Sequence, residues 1–249
     1  MKKEGILYFH QGWTDIINCL ALINYYCNLY ETIYLIMRED ARPILDFYTK
    51  EMKNLQIFYE IKQTIDSTNG FEHVRNKYSN LQLQESELLG IGCHDIHIKH
   101  VFKCAFSKKK TSVNTFVNAF YESYNISFNT RINDFNFTRD KELENSSYEK
   151  FINAHGKEYI LYHEIIENYD HSKKIVNLNG ISDIFFDMIQ VLENALEIHL
   201  LDSVWAAFIY QLDAKYKLFQ NKKIVLYAKR EYRKMFEEPI KLTNWIMAI

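Results

Sequence analysis

Apolar and polar positions along the first sixty residues fall into blocks that switch between two periods. Ile6-Leu7-Tyr8-Phe9 is a continuous apolar run that stops at the polar turn His10-Gln11-Gly12-Trp13-Thr14. From Asp15 to about Tyr30 the apolar positions Ile16, Ile17, Leu20, Ile23 and Cys27 predict an amphipathic helix, with Thr14 or Asp15 as its N-cap. Thr32 to Met37 predicts a β-branched strand, and Leu55 to Ile61 a further one. Between them, Ala41 to Met52 reads as a helix with Pro43 in its first turn. Such a strand–helix–strand–helix–strand series implies a parallel sheet of Rossmann type, because parallel strands need crossover connections.

The pattern then loosens and restarts. Leu88 to Ile91 predicts a fourth strand and Val113 to Tyr124 a helix. The Asn-rich stretch from Asn125 to Asp140 is expected to cross the surface, and Lys141 to Ile152 to form a charged helix. Strands follow at Tyr159 to Tyr162, Lys174 to Leu178, Glu197 to Leu201 and Lys223 to Leu226. Helices are expected at Ile184 to Asn194, at Val204 to Leu212 and from about Arg230 to the end. The expected architecture is GT-B-like α/β, two Rossmann-type α/β/α halves facing across a cleft. Residues 1–150 form the first half and 151–249 the second, with the boundary near Ser146 to Lys157. Twin-Rossmann proteins hold their ligand between the halves.

Composition narrows the class. With 47% hydrophobic residues, 7 Gly and 2 Pro in 249 positions, the chain is neither disordered nor of low complexity. A net charge of -2 gives no bulk attraction to nucleic acid, so no nucleic-acid partner is expected. The apolar run at the N-terminus is too short for a signal peptide, and no stretch approaches a membrane span. Four cysteines in this length read as reduced thiols in a cytoplasm.

Ligands of open parallel sheets sit beyond the carboxyl ends of the strands, which directs attention to four turns. Asp15, after the first strand, reads either as a general base for an acceptor hydroxyl or as a helix cap. His10, Gln11 and Gly12 stand beside it on the acceptor side. Asp202-Ser203 opens a helix, where backbone N–H groups, the dipole and the Ser203 hydroxyl suit a phosphate, or where the two residues simply cap. His163 follows the strand at Tyr159 to Tyr162, and Ser182 follows the strand at Lys174 to Leu178.

The segment YFHQGWTDIINCLALINYY resembles the opening strand, turn and helix of GT-B glycosyltransferases related to the bacterial lipopolysaccharide heptosyltransferases. FFDMIQVLENALEIHLLDSVWAAFIYQL resembles the donor-site region of the same group. FYESYNISFNTRINDFNFTRDKELE and YILYHE resemble the inter-domain passage of its small bacterial and viral members. Thr14 stands where the family has Gly before its catalytic Asp. Val204 and Ala206-Ala207 stand where the donor motif continues with Gly and His.

The resemblance implies transfer of a sugar from a nucleotide-sugar donor to a glycan or lipid-linked acceptor, in surface polysaccharide or glycoconjugate biosynthesis. It implies inversion, Asp15 as base, and phosphate stabilisation by Asp202 and Ser203, joined by His163, Ser182 or Lys173. It implies no cofactor beyond the substrate, and the absence of any Asp-x-Asp in the chain agrees with metal-independent chemistry. The alternatives on the same scaffold are a non-catalytic nucleotide- or sugar-binding protein and a transferase of another nucleotide-activated group.

Other constellations rank below this one. Cys93, His94, His97, His100 and Cys104 fall in one segment, but their spacing matches no standard zinc pattern, and no metal is assigned. His94 or Asp95 touching an acceptor sugar is the preferred reading there. Lys108-Lys109-Lys110 reads as a solvated face. The expected terminal helix carries Lys229, Arg230, Arg233 and Lys234, as helices lying on membrane surfaces do. Glu237 and Glu238 interrupt that face, so packing back on the first half is preferred. No Gly-rich dinucleotide fingerprint, Walker A loop or serine nucleophile elbow occurs.

Overall fold

A computed structural model describes residues 2–9, 12–62, 73, 76–79, 88–91, 121, 126–164, 174–201, 203–227 and 245–248. The chain divides into two compact units, Met1–Asn136 and Phe137–Ile249.

The first unit holds β1 (Lys2–Phe9), α1 (Trp13–Leu29), β2 (Tyr30–Arg38), α2 (Arg42–Tyr48), β3 (Leu55–Glu60), β4 (Leu88–Ile91) and the single turn α3 (Thr130–Asn133). Its four strands are parallel in the order β3-β2-β1-β4, which is Rossmann order. Leu7, Leu35 and Ile36 from the strands and Ile17, Leu20 and Ile23 from α1 are shut from solvent, forming the core the apolar runs foretold. α1 ends because Tyr30 turns extended and enters β2 directly. The Asn54 amide then ties that junction by donating to the carbonyls of Cys27 and Tyr30, at 2.8 and 2.9 Å.

The stretch expected to cross the surface is instead packed. Ile126, Arg131 and Phe135 are buried, and the Asn24 amide donates to the Asp134 and Asn136 carbonyls, both at 2.9 Å. An Asn on α1 thus satisfies backbone that would otherwise need water.

The second unit holds α4 (Lys141–His155), β5 (Tyr159–Tyr162), β6 (Lys174–Asn177), α5 (Ile189–Asn194), β7 (Glu197–Leu201), α6 (Val204–Tyr216), β8 (Lys223–Tyr227) and β9 (Ile246–Ala248). Its strands are parallel in the order β6-β5-β7-β8-β9, the flavodoxin-like pattern. Leu161, Ile198, Leu200, Ile224 and Leu226 are fully buried, as are Phe186 and Phe208 against the sheet. The unit begins before α4, at 136/137 where the sequence pattern suggested 150/151. Arg139 explains this. It donates to Glu144 (Nε–Oε1 2.8 Å) and to Glu193 (2.7 and 2.8 Å), binding the start of α4 to the end of α5. Glu144 is 1% exposed, and a buried carboxylate must be paired.

Two expected helices differ. The one from Ile184 begins with a 3-10 turn, Phe186–Met188, because Phe185 has φ 65 and interrupts the ladder. The expected terminal helix from Arg230 falls mostly outside the described residues, and its last residues form β9. Ile246 to Ala248 pair with Val225 to Tyr227, and Trp245 Nε1 donates to Asp213 Oδ2 at 3.1 Å. Among the described residues no helix is long and apolar enough to cross a membrane. Cys19 and Cys27 are free thiols. The helix expected from Val113 to Tyr124 lies outside the described residues except for Tyr121.

Candidate active site

The strand order of each sheet reverses at one place, and open α/β sheets bind their ligands beyond the carboxyl ends at such a point. In the first unit the reversal lies between β1 and β4. The chain leaves β1 and starts α1 with Gly12 as N-cap, whose carbonyl accepts from the N–H groups of Asp15 and Ile16, both at 3.0 Å. The expectation that Thr14 or Asp15 caps this helix is therefore corrected: both are already helical, and no side chain caps it. Gly12 has φ -67, which any residue adopts, and a Cβ there would meet nothing within 4 Å. What the glycine leaves is uncrowded backbone beside the strand end.

Asp15 is thus a first-turn carboxylate with no capping duty. Burial raises its carboxyl from 3.8 to about 7. Desolvation works against the α1 dipole, which favours an anion at this end by ~0.3–1 kcal/mol, and desolvation wins. One turn on, Cys19 is buried, and its thiol is pushed well up by desolvation first and by the Asp15 charge next. Asn18 donates to the Thr14 carbonyl at 2.8 Å, and its own carbonyl accepts from the Tyr121 hydroxyl at 2.6 Å. The first two turns of α1 are therefore held by these bonds, with Asp15 in the first turn after the carboxyl end of β1. A carboxyl near 7 can exchange a proton at neutral pH, as a general base must. Of the other acceptor-side residues, His10, Gln11, His94 and Asp95 lie outside the described residues.

In the second unit the reversal lies between β5 and β7. His163 follows β5 directly, and its N–H donates to the His199 carbonyl of β7 at 2.9 Å. The residue is 7% exposed, and among the described residues its buried Nδ1 has no hydrogen-bond partner. Burial lowers its pKa, while Glu164 and a hydrogen bond with Asn179 oppose the shift. Glu164 itself has φ 66, a left-handed conformation rare for a residue with a side chain. Strain of this kind collects at functional positions.

Ser203 is the N-cap of α6, accepting from the Ala206 N–H at 3.4 Å. Both sequence readings of it are compatible with this, since a capped helix start still offers free N–H groups. Ser182 is committed locally: its hydroxyl donates to Asp187 Oδ1 at 2.6 Å and accepts from the Ile184 N–H at 3.0 Å. Asp187 also accepts from Ser147 at 2.9 Å. Phe185 packs on Trp205 with ring centres 4.3 Å apart, setting the loop after β6 against the first turn of α6. His163, Asn179 and the start of α6 are thereby gathered at one end of one sheet. Asp202 and Lys173 lie outside the described residues.

The place of Asn179 after a strand is legible in the sequence, whereas its effect on His163, which follows a different strand, leaves no local signal. Asp187 carried no signal. In the first unit Arg38 and Glu60, at the ends of β2 and β3, are buried and held within the protein. Arg38 binds Asp40 (Nε–Oδ1 3.0 Å), and Glu60 binds Lys77 at 2.5 Å. Among the described residues no group of three or more His, Cys, Asp or Glu is placed to hold a metal ion. The Cys93 to Cys104 segment lies outside them.

No protein-family model and no curated protein matches the chain. Among solved structures it is similar to a glycosyl transferase family 9 protein from Veillonella parvula, with a TM-score of 0.57 and 9% identity. That match covers 99% of this chain and 85% of the other. Two structures of E. coli heptosyltransferase WaaC also align. One, with ADP-2-deoxy-2-fluoro heptose, gives a TM-score of 0.42 at 8% identity; the other, with ADP, gives 0.44 at 9%. Each match covers 98% of this chain and 92% of the other. The Veillonella match establishes the fold: two Rossmann-type units as in GT-B glycosyltransferases.

Proposed function

We propose that this protein is a metal-independent, inverting glycosyltransferase that moves a sugar from a nucleotide-sugar donor to a glycan or lipid-linked acceptor. Surface polysaccharide or glycoconjugate biosynthesis is the setting that fits such an acceptor. The observation that carries the reading is the Asp15 carboxyl, raised to about 7 by burial, at the point where the strand order of a glycosyltransferase-like sheet reverses.

In the proposed reaction the acceptor oxygen forms a bond to the anomeric carbon as the bond to the nucleoside diphosphate breaks. Asp15 takes the hydroxyl proton, and the electron pair of the breaking bond leaves with the diphosphate. The second unit receives the donor. Its α6 N-terminus, with the Ser203 hydroxyl, would meet the charge that grows on the leaving group. His163 and Lys173 add to that field, and Ser182 supports the loop after β6. Protein dipoles so placed serve where other transferases use a cation, which is the ground for metal independence.

A calorimetric screen of UDP, GDP, ADP and CMP tests this reading. Binding of a nucleoside diphosphate is expected, and no heat from any of them would overturn the donor site. If a nucleotide binds but Asp15→Asn transfers sugar at the wild-type rate, the base assignment falls and the non-catalytic or other-group readings take its place.

A further inference from the structure

We propose that Asp187 is a positioning residue of the donor site: it ties the loop after β6 to α4 and so holds the tip of that loop in the arrangement that receives the donor nucleotide. The proposal rests on the donor-site reading above and deepens it.

The loop runs from Leu178 to Phe185 and is anchored at both ends. At its start the Leu178 N–H donates to the Tyr162 carbonyl of β5 at 2.7 Å, and Leu178 is fully buried. Asn177 Oδ1 accepts from the Asn179 N–H at 2.9 Å, which opens the turn. At its end the buried Phe185 packs on Trp205 and Phe208 of α6, with ring centres 4.3 and 5.8 Å away. Phe185 has φ 65, a conformation that persists only where the surroundings hold it. Between these anchors Asn179 and Gly180 are exposed. Gly180 is left-handed at φ 71, with nothing within 4 Å of where a Cβ would stand. This tip lies at the carboxyl end of β6, the strand paired with β5, where such sheets bind their ligands.

Asp187 secures the stretch between the tip and Phe185. Its Oδ1 accepts from the Ser182 hydroxyl at 2.6 Å, and that hydroxyl accepts from the Ile184 N–H at 3.0 Å. These two bonds close the turn around Asp183. Closing a turn needs nothing more, yet Oδ2 accepts from the Ser147 hydroxyl at 2.9 Å, forty positions back in α4. α4 is fifteen residues long and is bound to the end of α5 through Arg139, which donates to both Glu144 and Glu193. One carboxylate therefore joins the loop to the frame of the unit. Asp187 is 9% exposed, so water replaces neither bond easily. A loop that keeps its binding arrangement only part of the time weakens the apparent affinity by that fraction. Loss of the Ser147 bond should therefore register in the nucleotide Kd as well as in stability.

Calorimetric titration of the full chain with the tightest binder among UDP, GDP, ADP and CMP tests this, at a temperature where circular dichroism shows each variant folded. Ser147→Ala removes one hydroxyl on α4 and leaves the loop's own residues intact; Kd should weaken about fivefold. Asp187→Ala removes both bonds and should weaken it more than about tenfold. Asp187→Asn keeps an accepting oxygen, and its amide can donate to the second serine oxygen, so its Kd should stay within about threefold of wild type. An unchanged Kd in Ser147→Ala or in Asp187→Ala overturns the proposal, whatever the change in stability. An Asn variant as weak as the Ala variant overturns it too. Ser147→Ala decides alone if Asp187→Ala fails to fold. Failure of the wild-type protein to bind any of the four nucleotides refutes the donor-site reading itself, a separate outcome.

Discussion

Replacing Asp15 by Asn should abolish sugar transfer and, above neutral pH, make the protein more stable. The second half of that statement follows from the partly buried, desolvated carboxyl. In the unfolded chain it ionises near 3.8, and in the folded protein near 7. Below 3.8 both states hold the proton and the carboxyl contributes no pH dependence. Between 3.8 and 7 the folded state keeps a proton that the unfolded state has lost, so stability falls as pH rises, by ~1.4 kcal/mol per unit. Above 7 the loss is complete, about 4 kcal/mol, since any favourable effect of the α1 dipole is already contained in the folded-state value. Asn keeps the shape and has no proton to lose. Urea unfolding of both proteins at pH 4, 6 and 8 should therefore show a stability difference that grows by about 3–4 kcal/mol in favour of Asp15→Asn. At ~2–3 kcal/mol/M that is a midpoint shift above ~1 M. Parallel pH curves for the two proteins would refute the buried-carboxyl argument. The same ionisation should give wild-type kcat/KM an acid limb near 7, with a loss of ~10²–10⁴-fold in the variant.

Ser203→Ala removes the cap of α6 and should cost ~1 kcal/mol in thermal unfolding, together with a weaker nucleoside diphosphate Kd; an unchanged Kd would separate the hydroxyl from the donor site. Excess EDTA should leave transfer unaffected, and a loss restored by Mg²⁺ or Mn²⁺ would refute metal independence. Arg139→Met leaves Glu144 buried without its guanidinium and should destabilise the protein by ~3–5 kcal/mol in urea. A change under ~1 kcal/mol would show that Lys141, which also reaches Glu144 at 3.3 Å, suffices.

What the sequence disclosed and what it hid divide along the range of the interactions involved. Strands such as Leu7 and Leu35 sit on, and helices such as α1 and α6, are encoded by local runs and periods, so their existence and parallel pairing could be read directly. Their ends were less legible, because Trp13 and Thr14 carry no sign that Gly12 rather than Thr14 or Asp15 would cap α1. β9 is a case of ambiguity: Trp245-Ile246-Met247-Ala248 is a short apolar run with no period to separate strand from helix. Pairing with β8, and the Trp245 bond to Asp213 in α6, decide it. The unit boundary was hidden for a similar reason, since the Arg139 link to Glu193 joins residues 54 positions apart.

The candidate site shows the same division on a finer scale, and it changes what the site residues mean. Asp15, His163 and Ser203 were found because each follows a strand. Their chemistry depends on partners that the strand-end rule does not reveal. Between cap and base, the Gly12 cap removes a structural duty from Asp15 while desolvation gives it a pKa suited to the other role. Ser182 moves the opposite way: Asp187 and the Ile184 N–H occupy its hydroxyl, leaving it better suited to shaping the loop than to meeting a phosphate.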